Sequence, residues 1–295
     1  NGYPSQDDTD RYPLLGEAVR AALTVVVHCE AQRERLAGEW GGPVSRLWLP
    51  TVDTRVPAAP VRVVPPGERV RMLSLGWVGE PKQIHTVIEA LALDPDLARR
   101  VEYRIAGPID LRSHYGRRLT DLIVQNRLEQ CVTLTGWVSA EELSDTFDWA
   151  DLHVNLRNPC TEGGSLSLLQ QMASARPVLV GDRGIFAEVP GDAAIRAAAF
   201  TPQAVGDALR DALAHVEDLP RVGARGRAWA ATQTVERYAA DIVQVARRAP
   251  GERVAAQTAS RVNGALDGLG ATRGLDVCAT AAAQLERFVR PPGDA

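Results

Sequence analysis

Short apolar runs alternate with longer amphipathic stretches along most of the 295-residue chain. The apolar runs are four to six residues long and rich in β-branched residues, a pattern typical of strands that are buried on both faces. We predict strands at residues 24–27, 70–75, 101–106, 131–135, 152–156 and 177–180.

Between the later runs, apolar residues recur at intervals of three and four, as an amphipathic helix requires. One such stretch contains Ile84, Val87, Ile88 and Leu91, and residues 119–128 contain another. Because strands and helices alternate, the pattern predicts a parallel sheet covered by helices on both faces. This is the Rossmann-like, doubly wound α/β fold.

Proline and glycine indicate where the chain divides. Prolines cluster ahead of the second apolar run, so we place a linker at residues 59–70. Residues 1–58 hold too few strands for a complete domain, and we interpret them as the closing part of a domain that begins in a longer protein. The main domain covers residues 71–250. The sequence after it is rich in alanine without a strand pattern, which predicts a helical appendage over residues 251–295.

Composition narrows the classes of function. With 33 basic and 37 acidic residues the net charge is -4, so we expect no nucleic-acid partner. No apolar run approaches the roughly 20 residues that a membrane-spanning helix needs. The four cysteines are far apart and form no CxxC pair, which favours a reducing cytoplasm and argues against a zinc site. We therefore expect a cytoplasmic protein without a bound metal.

Two consecutive glycines, Gly163 and Gly164, lie directly before an apolar stretch with helical spacing. The backbone N–H groups at such a helix start can bind an anion, although the same glycines can also serve only a tight turn. The five histidines occur singly, without a catalytic partner or a second histidine at ligand spacing, and we interpret them as structural. No P-loop motif occurs, and no carboxylate pair suggests glycoside hydrolysis.

A resemblance to a known family begins at this glycine pair. The sequence EGGSL at 162–166 is followed by LQQMA at 169–173, by RPV at 176–178 and then by Gly184 and Glu188. The order and spacing resemble the donor-site signature of family 4 retaining glycosyltransferases, which have the GT-B fold. This resemblance implies that residues 71–250 are the C-terminal, donor-binding domain of such an enzyme.

Upstream segments resemble the same family in the family's order. GWVGEPK at 76–82 is similar to the glycine loop that ends in a phosphate-binding lysine, and TGWVS at 135–139 is similar to the loop that contacts the base. VVVHCE at 25–30 resembles a late strand of the family's N-terminal domain. The resemblance thus extends over roughly residues 70–240, with a remnant of the acceptor domain before them.

The resemblance assigns eight candidate residues to the nucleotide-sugar donor, and we add Arg157 as a ninth. They are Lys82, Arg157 and Gly76 for the diphosphate; Glu162, Gly163 and Gly164 for the donor sugar; and Gln170, Trp137 and Val138 for the ribose and base. Simpler interpretations are a solvated lysine at position 82 and a helix-capping acid at position 162.

Two positions depart from the family pattern. The family has a glutamate for the ribose hydroxyls where this chain has Gln170, whose amide oxygen is a weaker, uncharged acceptor. The loop before Lys82 lacks the arginine that usually accompanies the lysine. Arg157, at the end of a predicted strand, is our candidate replacement, and the alternative is an ordinary surface arginine.

The resemblance implies transfer of a sugar from a nucleoside-diphosphate sugar to a carbohydrate or glycoconjugate acceptor, with retention of configuration and without a cofactor. We expect a role in bacterial polysaccharide or glycoconjugate synthesis, with peripheral association at the inner face of the membrane. The catalytic residues stay unidentified, because the family's acceptor pocket lies in the missing N-terminal domain. The alternatives are a degenerate binding module, which Gln170 favours, and another GT-B enzyme such as a sugar-nucleotide epimerase or a phosphorylase.

Overall fold

A computed structural model provides the fold of the chain, and it forms two compact units. The first unit combines Asn1–Trp48 with Glu236–Ala295, and the second is Leu49–Val235. The structure describes residues 19, 21–51, 61–65, 67–139, 141–160 and 163–268.

The first unit contains a small parallel pair of strands. Strand β1 (Val25–Val27) pairs with β2 (Val44–Arg46), and helix α1 (Glu30–Trp40) connects them. The helix ends at Gly41, which adopts the left-handed backbone conformation (φ 68°) that favours glycine. The sequence predicted only the first strand of this pair. Strand β2 was missed because it has three half-buried residues and no apolar run.

The second unit is built on a six-stranded parallel sheet. Its strand order is β5-β4-β3-β6-β7-β8, so the chain starts in the middle, winds to one edge and then returns to wind to the other. The strands are β3 (Val70–Leu75), β4 (Val101–Ala106), β5 (Val132–Gly136), β6 (Leu152–Asn155), β7 (Val178–Gly181) and β8 (Ile195–Ala197).

Helices link these strands and cover the sheet. They are α2 (Ile84–Leu93), α3 (Pro95–Arg100), α4 (His114–Gln125), α5 (Glu142–Trp149), α6 (Leu166–Ala173), α7 (Pro202–Ala214) and α8 (Leu219–Ala230), with 3-10 turns at Glu80–Lys82, Gly184–Glu188 and Val216–Asp218.

The core of this unit lies between the central strands and the helices. All residues of β6 and most residues of β3 and β4 are buried, and α2 packs its apolar face, including Val87 and Leu91, against them. Burial of such side chains contributes about 1.5–3 kcal/mol each to folding. The doubly wound parallel sheet predicted from the sequence is therefore confirmed.

Each of the six predicted strands is present, and two short ones were missed, β2 and β8. The predicted linker at 59–70 lies partly outside the described residues, as do parts of residues 1–58 and 251–295. The helical appendage is present as helix α9 (Val235–Gly268), which begins earlier than expected and continues through Pro250. A proline inside a helix lacks the N–H that would bond the carbonyl four residues back, but the flanking residues maintain the helix.

The strand order predicts a ligand crevice at one edge of the sheet. The chain leaves β3 towards one side and β6 towards the other, and these two strands are neighbours (Met72 pairs with Leu152). Ligands of doubly wound sheets bind at the carboxyl ends of the strands where the order reverses. We therefore expect a ligand site at the loops after β3 and β6.

Candidate functional site

The loop after β3 brings Lys82 back to the end of its own strand. The Lys82 ammonium donates a hydrogen bond to the carbonyl of Leu75, the last residue of β3. Gly76 adopts a positive φ of 96°, and a Cβ atom added there would lie 2.9 Å from Lys82 Nζ. Glycine at position 76 thus provides both the turn and the room for the ammonium group.

Lys82 is the only lysine of the sequence, in which lysine and arginine together number 33. Arginine therefore serves nearly every other cationic position of the chain. A compact ammonium group differs from the planar guanidinium in size and geometry, and the confined position beside Gly76 suits the smaller group.

The loop after β6 carries Arg157, a largely buried side chain with 8% exposure. One nitrogen of its guanidinium group, Nη1, donates to the carbonyl of Leu156 at 3.2 Å. The next residue, Asn158, donates its backbone N–H to the carbonyl of Pro81 at 2.8 Å and accepts a bond of 2.9 Å from the Gln83 side chain. These bonds join the loop of Arg157 to the loop of Lys82 at the reversal point of the sheet.

The start of helix α6 follows this loop and is anchored to β6. Asn155, the last residue of β6, donates to the side chain of Gln171 at 2.7 Å and to Ser167 Oγ at 3.2 Å. Ser165 caps the helix by accepting the N–H of Leu168 at 3.4 Å. The first turn of α6 is therefore held directly over the end of the strand.

The glycine pair lies immediately before this anchored turn. Gly163 and Gly164 are half-buried, and their backbone N–H groups precede the positive end of the α6 dipole. Glu162, the predicted donor-sugar residue, lies outside the described residues. Gln170 lies on the same helix and is half-buried.

The predicted base-contacting pair follows β5, two strands away from β3. Trp137 is 74% exposed, whereas Val138 packs against a small cluster that includes Leu73. Backbone hydrogen bonds connect the loops after β3, β4 and β5. The N–H of Gly76 donates to the carbonyl of Ala106 at 2.8 Å, and the N–H of Gly107 donates to the carbonyl of Gly136 at 2.7 Å. Apart from Gln170 on α6, the described candidates therefore lie on loops at one edge of the sheet.

Three positions at this edge were not found from the sequence. Gly107 has a φ of 147°, and a Cβ atom there would lie only 2.2 Å from the carbonyl oxygen of Gly76, so it permits the two loops to touch. Asn155 and Gln171 are buried and bonded to each other. Asn155 could have been found from the sequence, because it is a polar residue at the end of an apolar run. Its contact with Gln171 depends on the tertiary fold.

The helix that follows Lys82 is positioned by a neutral pair. Burial lowers the pKa of His85 and raises the pKa of Tyr115 to about 12. The Tyr115 hydroxyl lies 3.1 Å from His85 Nδ1 and accepts the His85 backbone N–H at 3.3 Å. This contact caps the start of α2 without adding charge to the site at pH 7.

Within the described part of the chain, no three His, Cys, Asp or Glu side chains come together so that they could hold a metal ion. Among the helices whose residues are described, none has the length and apolar character needed to cross a bilayer.

Residues 69–215, just under half of the chain, match the family model described as Glycosyl transferases group 1. No curated protein matches the chain. Among solved structures, sucrose-phosphate synthase from Thermosynechococcus elongatus is similar, with a TM-score of 0.67 and 22% identity. The match covers 83% of this chain and 64% of that one.

Two more structures share the fold at lower identity. HepE from Anabaena, in complex with UDP and glucose, has a TM-score of 0.65 and 14% identity over 82% of this chain and 67% of its own. The pneumococcal O-GlcNAc transferase GtfA, in complex with UDP and GlcNAc, has a TM-score of 0.62 and 14% identity over 83% of this chain and 50% of its own. The chain thus spans about two thirds of the first two structures and half of the third.

At these identities the likeness shows the fold alone. The chain has the parallel-sheet α/β fold of GT-B glycosyltransferases, with a C-terminal helix, as the sequence predicted.

Proposed function

We propose that the chain is the donor-binding part of a glycosyltransferase that takes its sugar from a nucleoside-diphosphate sugar. The observation that carries this proposal is the bonded contact between the loops of Lys82 and Arg157 at the reversal point of the sheet. The match of residues 69–215 to a glycosyl transferase model supports it independently.

The charges at this edge suit a diphosphate leaving group. A nucleoside diphosphate carries about two negative charges when the glycosidic bond breaks, and cations and N–H groups fixed in advance stabilise that charge best. Lys82 supplies an ammonium group, Arg157 a guanidinium group, and the start of α6 supplies the amides of Gly163 and Gly164. Glu162 belongs to the same proposal, as an acceptor for the donor-sugar hydroxyls.

We further propose that transfer proceeds with retention. The bond between the anomeric carbon and the phosphate oxygen breaks, and its electron pair stays on the leaving phosphate. The acceptor hydroxyl then bonds the anomeric carbon on the same face and gives its proton to a phosphate oxygen. The chain's residues position and stabilise the phosphate in this step and supply no nucleophile.

Gln170 and the loop after β5 complete the proposed donor site. The amide oxygen of Gln170 accepts a hydrogen bond from a ribose hydroxyl, while Trp137 and Val138 lie against the base. The nucleotide-sugar is a substrate, and the reaction needs no cofactor. We place it in bacterial polysaccharide or glycoconjugate synthesis at the cytoplasmic face of a membrane, with a composition rich in alanine, arginine and glycine as the supporting observation.

Calorimetric titration of the full chain with UDP, GDP, ADP and dTDP tests the proposal. We expect one nucleoside diphosphate to bind more tightly than the others, and UDP is the first candidate because HepE and GtfA were solved with it. Binding of none of the four would contradict the proposal and favour the degenerate module, for which the uncharged Gln170 is the specific observation.

A further inference from the structure

Trp77 exposes a large apolar surface on the same loop as Lys82. Its side chain is 55% exposed, whereas the following residue, Val78, is buried. The backbone N–H of Val78 bonds the carbonyl of Pro108 at 3.0 Å, which fixes the loop in this orientation. The indole is therefore exposed on a loop that is anchored by a backbone hydrogen bond at the next residue.

The indole lies against Gly79. A Cβ atom at Gly79 would lie 2.4 Å from Cζ3 of the Trp77 ring, so the ring would have to move to admit any other residue there. The φ of Gly79 is -143°, an extended value that any residue adopts, and so room for the ring is the reason for glycine here. The Gly79 carbonyl also accepts the N–H of Lys82 at 3.0 Å. One short turn thus holds the aromatic ring and the lysine.

An exposed tryptophan at such a position is informative because apolar side chains of this size usually bury their surface. The face of an indole ring carries negative electrostatic potential and attracts polarised C–H groups. The C–H groups of a pyranose are polarised by the ring and hydroxyl oxygens. A loop that carries both an exposed indole and an ammonium group therefore suits a pyranose next to an anionic group.

We infer that Trp77 is a specificity-determining residue that stacks against a pyranose ring. This inference rests on the proposed function and deepens it, since the ring belongs either to the donor sugar or to the acceptor. Both sources present the same chemistry to the indole. Their contributions separate when nucleotide, nucleotide sugar and free disaccharide are measured independently.

The test compares the wild type with Trp77→Ala and Trp77→Phe by calorimetry. The probes are the nucleoside diphosphate that binds the wild type, its glucosyl and N-acetylglucosaminyl esters, and maltose, cellobiose and chitobiose with and without nucleotide. Leu93→Ala is the matched control, because Leu93 is also apolar and 62% exposed but ends α2. Thermal unfolding verifies that each variant is folded.

If the donor sugar is stacked, Trp77→Ala weakens binding of the nucleotide sugar about 5- to 30-fold and leaves the affinity for the free nucleotide unchanged. Trp77→Phe then restores part of the lost affinity. If the acceptor is stacked, the same loss affects a disaccharide instead. Unchanged affinity for every sugar overturns the inference, as does an equal loss for the nucleotide and its sugar ester. A wild type that binds a disaccharide through Trp77 but no nucleotide would instead contradict the proposed function alone.

Discussion

The Lys82 ammonium group lies between the Leu75 carbonyl, to which it donates, and Gly76, which leaves room for it because it has no Cβ atom. An arginine at position 82 would keep the charge but place a wider group against Gly76. The geometry at Gly76 therefore favours lysine over arginine at position 82.

We expect Lys82→Ala to weaken nucleoside diphosphate binding by about 1.5–3 kcal/mol, roughly ten- to a hundredfold, because one charge-assisted bond is lost. Lys82→Arg should restore little of the loss. Calorimetry measures both, with Arg99→Ala as control, since Arg99 is exposed and paired with Asp96. Equal affinity in Lys82→Ala and wild type would remove Lys82 from the site.

The absence of other lysines allows a direct probe of the same residue. Amine acetylation of the native chain can modify only Lys82 and the N-terminal amine. A bound nucleoside diphosphate should slow acetylation of Lys82 and leave the N-terminus unaffected, as mass spectrometry would show. An unchanged rate at saturating nucleotide would contradict direct contact.

Gln170→Glu tests the ribose contact. A charged acceptor bonds hydroxyl groups more strongly than an amide by about 1 kcal/mol, so we expect nucleotide binding to tighten roughly fivefold. Gln125→Glu adds the same charge at the exposed end of α4 and is the control. If the two variants bind the nucleotide alike, position 170 faces elsewhere and the degenerate module gains support.

At the scale of elements, the loops after β3 and β4 touch through glycine. A Cβ atom at Gly107 would meet the Gly76 carbonyl, and the φ of 147° is itself unfavourable for other residues. We expect Gly107→Ala to destabilise the fold by about 2 kcal/mol or more and to lower Tm by roughly 4–8 °C. Gly191→Ala is the control, because an added Cβ there meets nothing within 4 Å. Equal Tm values for the two variants would show that the loops separate without cost.

Strand β6 carries a buried histidine that makes stability depend on pH. Burial, and secondarily the charge of Arg176, lowers the pKa of His153 to about 3, while its Nε2 lies 3.2 Å from Ser174 Oγ. Below about pH 6.5 the unfolded chain binds a proton that the folded chain excludes. The stabilising contribution of neutral His153 is therefore complete above pH 6.5 and declines as pH falls towards 3.

We expect the unfolding free energy to fall by up to about 1.4 kcal/mol per pH unit across this range from His153 alone. His153→Gln keeps a polar group near Ser174 and should flatten the dependence. Urea unfolding at pH 7.5, 6 and 5 measures it, with the exposed His215→Gln as control. A His153→Gln variant with the wild-type slope would assign the pH dependence to other groups.

At the scale of the whole molecule, the predicted donor-site residues all lie in one unit, Leu49–Val235. The match to sucrose-phosphate synthase covers 64% of that chain. We expect the chain to bind nucleotide but to transfer no sugar by itself. Incubation with sugar nucleotides and a panel of acceptors tests this, and sustained transfer at about 1 per second or more would contradict it.

The sequence by itself determined the local elements and supplied the candidates for the site. Apolar runs defined the six main strands, and Lys82 and the Gly163–Gly164 pair stood out because their chemistry lies in short contiguous segments. Strand β8 was missed because it has only three residues, IRA, which form no apolar run, and because burial of the strand is only partial.

Only the tertiary structure decided which of these segments meet. A period of two or 3.6 residues tells which face is apolar but not which strands are neighbours. The order β5-β4-β3-β6-β7-β8 joins the loops of Lys82 and Arg157 through Gln83 and Asn158, which are 75 positions apart. The Asn155–Gln171 bond and the glycine contact at Gly107 depend on the same long-range pairing, since each needs a partner that local sequence does not specify.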